Sequence, residues 1–151
     1  DGVTWAFGVN FPGKPGYGFL ARDPAWSLVY WSEKAAVYTL RAAHPDLEDA
    51  RFRYVDPRDP AGSVTSAMMG ARGDPAVVAG VGREIARMLE ASPDSPRAAL
   101  CLAIYHHLQG PSHRAARDAA LDLLLRSAHG DPRYEAIAAG MRAMPPGLPA
   151  R

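Results

Sequence analysis

Residues 74–91 read Asp74-Pro75-Ala76-Val77-Val78-Ala79-Gly80-Val81-Gly82-Arg83-Glu84-Ile85-Ala86-Arg87-Met88-Leu89-Glu90-Ala91, and two folds compete for them. As a strand running into Gly80-x-Gly82, the stretch would open a dinucleotide-binding turn, where glycines let the backbone reach a pyrophosphate. The third small residue of that fingerprint falls at position 85, and Ile85 stands there instead. As a helix, the stretch places Val77, Val81, Ile85, Met88 and Leu89 in one apolar stripe, with Arg83, Glu84, Arg87 and Glu90 opposite. Too little chain remains for a doubly wound sheet, so the helix is the better reading. Gly80 and Gly82 then mark close packing of that helix, at about 1 kcal/mol each relative to alanine.

Asp74-Pro75 is one case of a recurring device. An Asp or Ser side chain accepts the first free N–H groups of a helix while proline occupies its first position. Asp23-Pro24, Ser95-Pro96 and Asp131-Pro132 repeat it, and Ser112 after Pro111 is a related cap. These signals predict helices over 75–91, 96–109, 112–128 and 132–143. The helix from Pro96 is apolar nearly all round (Leu100, Cys101, Leu102, Ile104, Leu108) and is expected at the centre of the fold. The next one carries a charged stripe, Arg114, Asp118, Asp122 and Arg126, read as a solvated face.

Working back towards the N-terminus, Trp26, Val29, Tyr30, Val37 and Leu40 fall at helical spacing after Pro24, and His44-Pro45 would end that helix. Residues 3–11 and Phe19–Arg22 read as strands around the turn-rich segment 12–18. Ala50–Val55 alternates, with Phe52 and Tyr54 on one side and Arg51 and Arg53 on the other, and reads as a third strand. From 56 to 74 the chain reads as irregular, apart from a possible helical turn around 63–69; a connection of this length often carries function. The expected architecture is α+β: a small N-terminal antiparallel sheet of about three strands packed against a bundle of about five helices. One domain over 1–151 is expected, divided into a β-β-α-β part (1–56), an irregular loop (57–74), a helical part (75–144) and a frayed tail (145–151). Helices opened by Ser95-Pro96 and Asp131-Pro132 are similar in spacing to tetratricopeptide hairpins. Gly110 to Pro132 is too long for that repeat, and no aromatic or glycine–tyrosine signature supports it, so no family is assigned.

Composition narrows the functional classes. An apolar fraction of 48% with 22% charged residues is ordinary for a globular chain and excludes disorder. A formal charge of +1 argues against nucleic-acid binding, which needs a basic excess. No run approaches the roughly 18 uninterrupted apolar residues of a membrane span. Only Lys14 and Lys34 are lysines, and this arginine preference matches the codon bias of a high-GC, bacterial-like genome. The single cysteine, Cys101, excludes an internal disulfide. It fits the cytosol, slightly favoured, or an exported mature chain without bridges.

Four groups of residues could carry chemistry. His106 and His107 close one helix and His113 opens the next, and together they are the candidate catalytic groups; no metal-ligand spacing accompanies them. Cys101, mid-helix among apolar residues, reads as core rather than as a nucleophile. Arg51, Arg53, Arg58, Ser63 and Arg72 gather around the strand and loop and would receive an anionic ligand. Trp5 and Tyr17, with Phe11, Lys14, Trp26, Tyr30 and Trp31, would line a pocket or partner groove, or else form the core between sheet and helix. The tripeptide Arg72-Gly73-Asp74 is that of cell adhesion, yet Asp74 already has a capping role. The expected function is a non-catalytic ligand- or protein-binding module, its partner another protein or a small molecule. Two alternatives stand beside it. One is a small enzyme or effector domain using the 56–74 loop and a histidine of the 106–113 junction, and the other is a metal or cofactor carrier.

Overall fold

The same residues that space like a helix after Pro24 also alternate like strands, and the alternation prevails. In the computed structural model, which describes residues 2–9, 19–56, 58–71 and 73–147, they form a hairpin of β2 (Trp26–Trp31) and β3 (Ala35–Leu40). Leu28, Trp31, Ala36 and Tyr38 turn to the core. The predicted helix over this stretch is therefore corrected. Its aromatic and β-branched composition favours a pleated, half-buried surface. Ser32 closes the turn, its Oγ accepting the Ala35 N–H at 3.1 Å. Asp23 still uses its side chain on the backbone, accepting from Ala25 N at 2.9 Å, but the result is a turn into β2 and not a helix start.

β1 (Trp5–Val9) pairs antiparallel with β3, giving the order β1-β3-β2. The predicted strand over 3–11 is shorter, and its last two residues lie outside the described ones. Phe19–Arg22 is a turn rather than a strand, with Arg22 and Asp23 N–H groups both bonded to the Phe19 carbonyl at 3.1 Å. Its Leu20 is nonetheless buried in the core.

Five longer helices follow: α1 (Pro60–Ala71), α2 (Pro75–Ala91), α3 (Pro96–Leu108), α4 (Arg114–Ser127) and α5 (Pro132–Ala143). The result is the α+β arrangement read from the sequence, a three-stranded antiparallel sheet with a helix-rich remainder. Asp74, Ser95 and Asp131 cap α2, α3 and α5 as expected. Ser112 caps nothing: Pro111–His113 forms a short 3-10 turn, and no side chain closes the start of α4.

The segment expected to be irregular over 57–74 holds α1. Val64 and Met68, four apart, are buried and give the helix its reason to form.

Two clusters make up the core. The first joins the sheet's Leu28, Trp31, Ala36 and Tyr38 to Val64 and Met68 of α1 and Val81, Ile85 and Met88 of α2. Ala98 and Cys101 of α3 complete it. The second joins Ala99 and Ala103 of α3 to Leu121 and Leu124 of α4 and Met141 of α5. α3 therefore flanks both, the central position its sequence implied. Burial pushes the Cys101 thiol up to about 12, which keeps it an un-ionised core group. Among the described residues no helix is long and apolar enough to cross a membrane.

Candidate functional site

Ala50–Val55 alternates as read, but it joins no sheet. Its backbone donors find a side chain instead. Glu84 of α2, only 5% exposed, accepts from Arg53 N at 2.6 Å, Tyr54 N at 3.0 Å and Val55 N at 2.9 Å. A free carboxylate has lone pairs enough for all three, and no neutral side chain does. A backbone link to the sheet's edge is Phe52 N donating to the Leu28 carbonyl at 2.8 Å. The predicted third strand is thus a segment stitched to a helix by one buried acid. Burial raises the Glu84 carboxyl above its ordinary range, while the three N–H donors and then the nearby Arg87 charge pull it down.

This stitching builds a cleft of about 450 Å³. One wall holds Asp49, Arg51, Arg53 and Tyr54; the other holds Gly80, Arg83, Glu84 and Arg87, which share one face of α2. Gly80 is required by the closeness of the walls: a Cβ there would stand 2.4 Å from the Tyr54 ring. Gly82 plays the same part against α3, where a Cβ would meet the Tyr105 hydroxyl at 2.8 Å.

The four arginines differ in how they are held. Arg51 and Arg53 both pair with Glu48, Arg53 at 3.0 Å, and chiefly through the Arg51 bond they hold that carboxyl below its ordinary range. Arg87 donates to the Val29 carbonyl at 2.6 Å and lies 4.4 Å over the Phe52 ring. Arg83 is exposed and has no partner among the described residues. Glu84 is engaged by the backbone, so Asp49 and the shared Glu48 are the acids left to oppose four guanidinium groups.

Of the ligand residues read from the sequence, Arg51 and Arg53 come together here, and Arg58, Ser63 and Trp5 do not. Arg58 folds back on Asp56, bonding both carboxylate oxygens. Ser63 belongs to the first turn of α1, accepting from Asp56 N and donating to the Pro60 carbonyl, both at 2.9 Å. Trp5 sits on β1 with its ring 4.6 Å from that of His44. Arg72 and Tyr17 lie outside the described residues. Arg83 and Arg87 were read only as lying opposite the apolar stripe of this helix, not as ligand residues. Glu84 was set opposite the apolar stripe, and this is corrected: it lies three residues after Val81 and four before Met88 and is buried with them, a spacing that could have singled it out.

The histidines form a separate group at the α3–α4 junction. His106 stacks on His113 with centroids 5.6 Å apart and planes 18° apart, as their positions suggested. Stacked faces do not converge their nitrogens on one point. Among the described residues, no three His, Cys, Asp or Glu side chains gather as a metal-binding group. The Nδ1 atoms of His106 and His107 are buried without a hydrogen-bond partner among the described residues. Burial, then the neighbouring His113, lowers His106; burial, then Arg117, lowers His107.

This has a pH consequence with a definite sign. Folded-state values below the ordinary 6.5 mean that the unfolded chain binds more protons in that window. The stability contribution is complete above pH 6.5 and is lost as the pH falls through the lowered values. Urea unfolding at pH 7.5 and pH 5 should show a smaller acid loss in a His106→Gln, His107→Gln variant than in the natural chain. Equal losses would contradict the assignment.

No protein-family profile, no curated protein and no solved structure matches this chain.

Proposed function

We propose that the chain is a non-catalytic binding module for a small anionic ligand, a phosphate or carboxylate, received in the cleft between residues 49–54 and α2. One observation carries the reading: four arginines from two distant segments converge on one cleft whose buried acid is already occupied by backbone N–H groups. Guanidinium forks match carboxylate and phosphate oxygens in pairs, and such charge-assisted bonds are stronger than neutral ones. Arg83 is open to such a ligand, while Arg51 and Arg53 can exchange the exposed Glu48 for a better acceptor. The smaller cleft beside it, about 200 Å³, offers Arg41 and Arg53 alone, and Arg41 is bonded to Ser27 Oγ at 2.8 Å.

Amide shifts on titration with inorganic phosphate are expected at residues 51–55 and 80–87. Arg53→Gln and Arg83→Gln should each weaken binding about tenfold, the size of one charge-assisted hydrogen bond. Unchanged affinity in the double variant, or shifts confined elsewhere, would remove the reading.

A further inference from the structure

Arg87 lines a second depression as well. This one, about 310 Å³, adjoins the arginine cleft and is bounded by Tyr30, Trp31, Phe52, Arg87, Glu90 and Ala91. Arg87 and Phe52 form its boundary as a fixed pair: the guanidinium is held by the Val29 carbonyl and lies over the Phe52 ring, and Phe52 is tied to β2 through its N–H. The two hollows therefore share the Arg87 guanidinium, beside the exposed Tyr30 and the half-buried Phe52, while Trp31 is fully buried. Each volume lies in the range of small-ligand sites, and ring faces with a few placed polar groups are the usual lining.

Building on the proposed anion site, we infer that its ligand is an aryl anion: a phosphate or carboxylate in the arginine cleft joined to an uncharged aromatic ring lying against Tyr30, Phe52 and Arg87. Aromatic and guanidinium faces both favour a flat partner. Glu90 on the far depression opposes a second negative charge there, so a ligand anionic at both ends is disfavoured. Tyr30 is the adjustable member, 43% exposed and outside the core, so its replacement leaves the fold intact.

Phenyl phosphate and inorganic phosphate, titrated in parallel by calorimetry, test the inference. Phenyl phosphate should bind the natural chain about tenfold more tightly, the gain from partial burial of one ring. Tyr30→Ser should abolish that preference and leave phosphate affinity unchanged, and Arg87→Lys, which keeps the charge but loses the flat face, should reduce it. Phosphate binding without a phenyl preference, or a preference that survives Tyr30→Ser, overturns this inference and leaves the anion site standing. Binding of neither probe overturns both.

Discussion

Glu84→Ala is expected to lower the unfolding free energy by about 3–5 kcal/mol, the largest effect of any single side chain outside the apolar core. The variant leaves the part-buried N–H groups of Arg53 and Tyr54 and the buried one of Val55 without their acceptor. Each buried donor without an acceptor costs roughly 1–3 kcal/mol, moderated where relaxation lets water in. For a chain of this size the melting temperature should fall on the order of 10 °C. Glu84→Gln is a sharper test, because it is nearly isosteric yet turns an NH2 group towards at least one N–H donor. It should recover less than half of the loss. Both variants should also weaken phosphate binding, since Arg51, Arg53 and Tyr54 would no longer be held opposite α2. Denaturant titration settles the matter: a loss below about 1 kcal/mol for Glu84→Ala would mean that the segment is held by Phe52 and Tyr54 packing instead.

Arg117→Met should cost about 2–4 kcal/mol. Arg117 is 2% exposed within α4, and one terminal nitrogen donates to the carbonyls of Met141 and Met144 at 3.1 and 3.2 Å. These lie at the C-terminal end of α5, where the last carbonyls lack partners within the helix. Methionine fills the same space without donating, so the loss isolates the hydrogen bonds from the packing. The exposed Asp118 partner contributes little, being a surface acid. Amide exchange should quicken first over α5, and Arg117→Lys should restore part of the stability. A Met variant as stable as the natural chain would show that water satisfies those carbonyls equally well.

How much of this was legible depended on where each residue's partner lies. Helices α2, α3 and α5 announced themselves because cap and proline act within a few residues of the positions they govern. The hairpin 26–40 was missed because Trp26, Val29 and Tyr30 fall at helical spacing, while a bulge at Leu28/Tyr30 breaks the alternation that would have marked a strand. Helix α1 was read only as a single turn around 63–69, because Gly62, Ser63, Thr65 and Ser66 are weak helix formers and burial of Val64 and Met68 is what outweighs them. At the candidate site, Arg51 and Arg53 do come together in one cleft, but from a segment that joins no sheet rather than from the expected strand. The side chains pair locally with Glu48, but the acid that holds the backbone of residues 53–55 is about thirty residues away, and local spacing carries no information about it. The stripe on α4 shows the same limit from the other side. Asp122 pairs with Arg142 of α5 and Asp118 with the adjacent Arg117, in place of partners four residues away along the stripe.

The position of α3 has a thermodynamic consequence. One side of it closes the cluster under the sheet and the other closes the cluster of α4 and α5. Opening either cluster strips the shared helix of half its burial, so the two cannot melt independently at their full separate costs. Stability in this chain is consequently common property: free energy added by a ligand at the proposed site near Glu84 would protect residues near Arg117 from unfolding, although nothing travels between them except the all-or-none character of the transition.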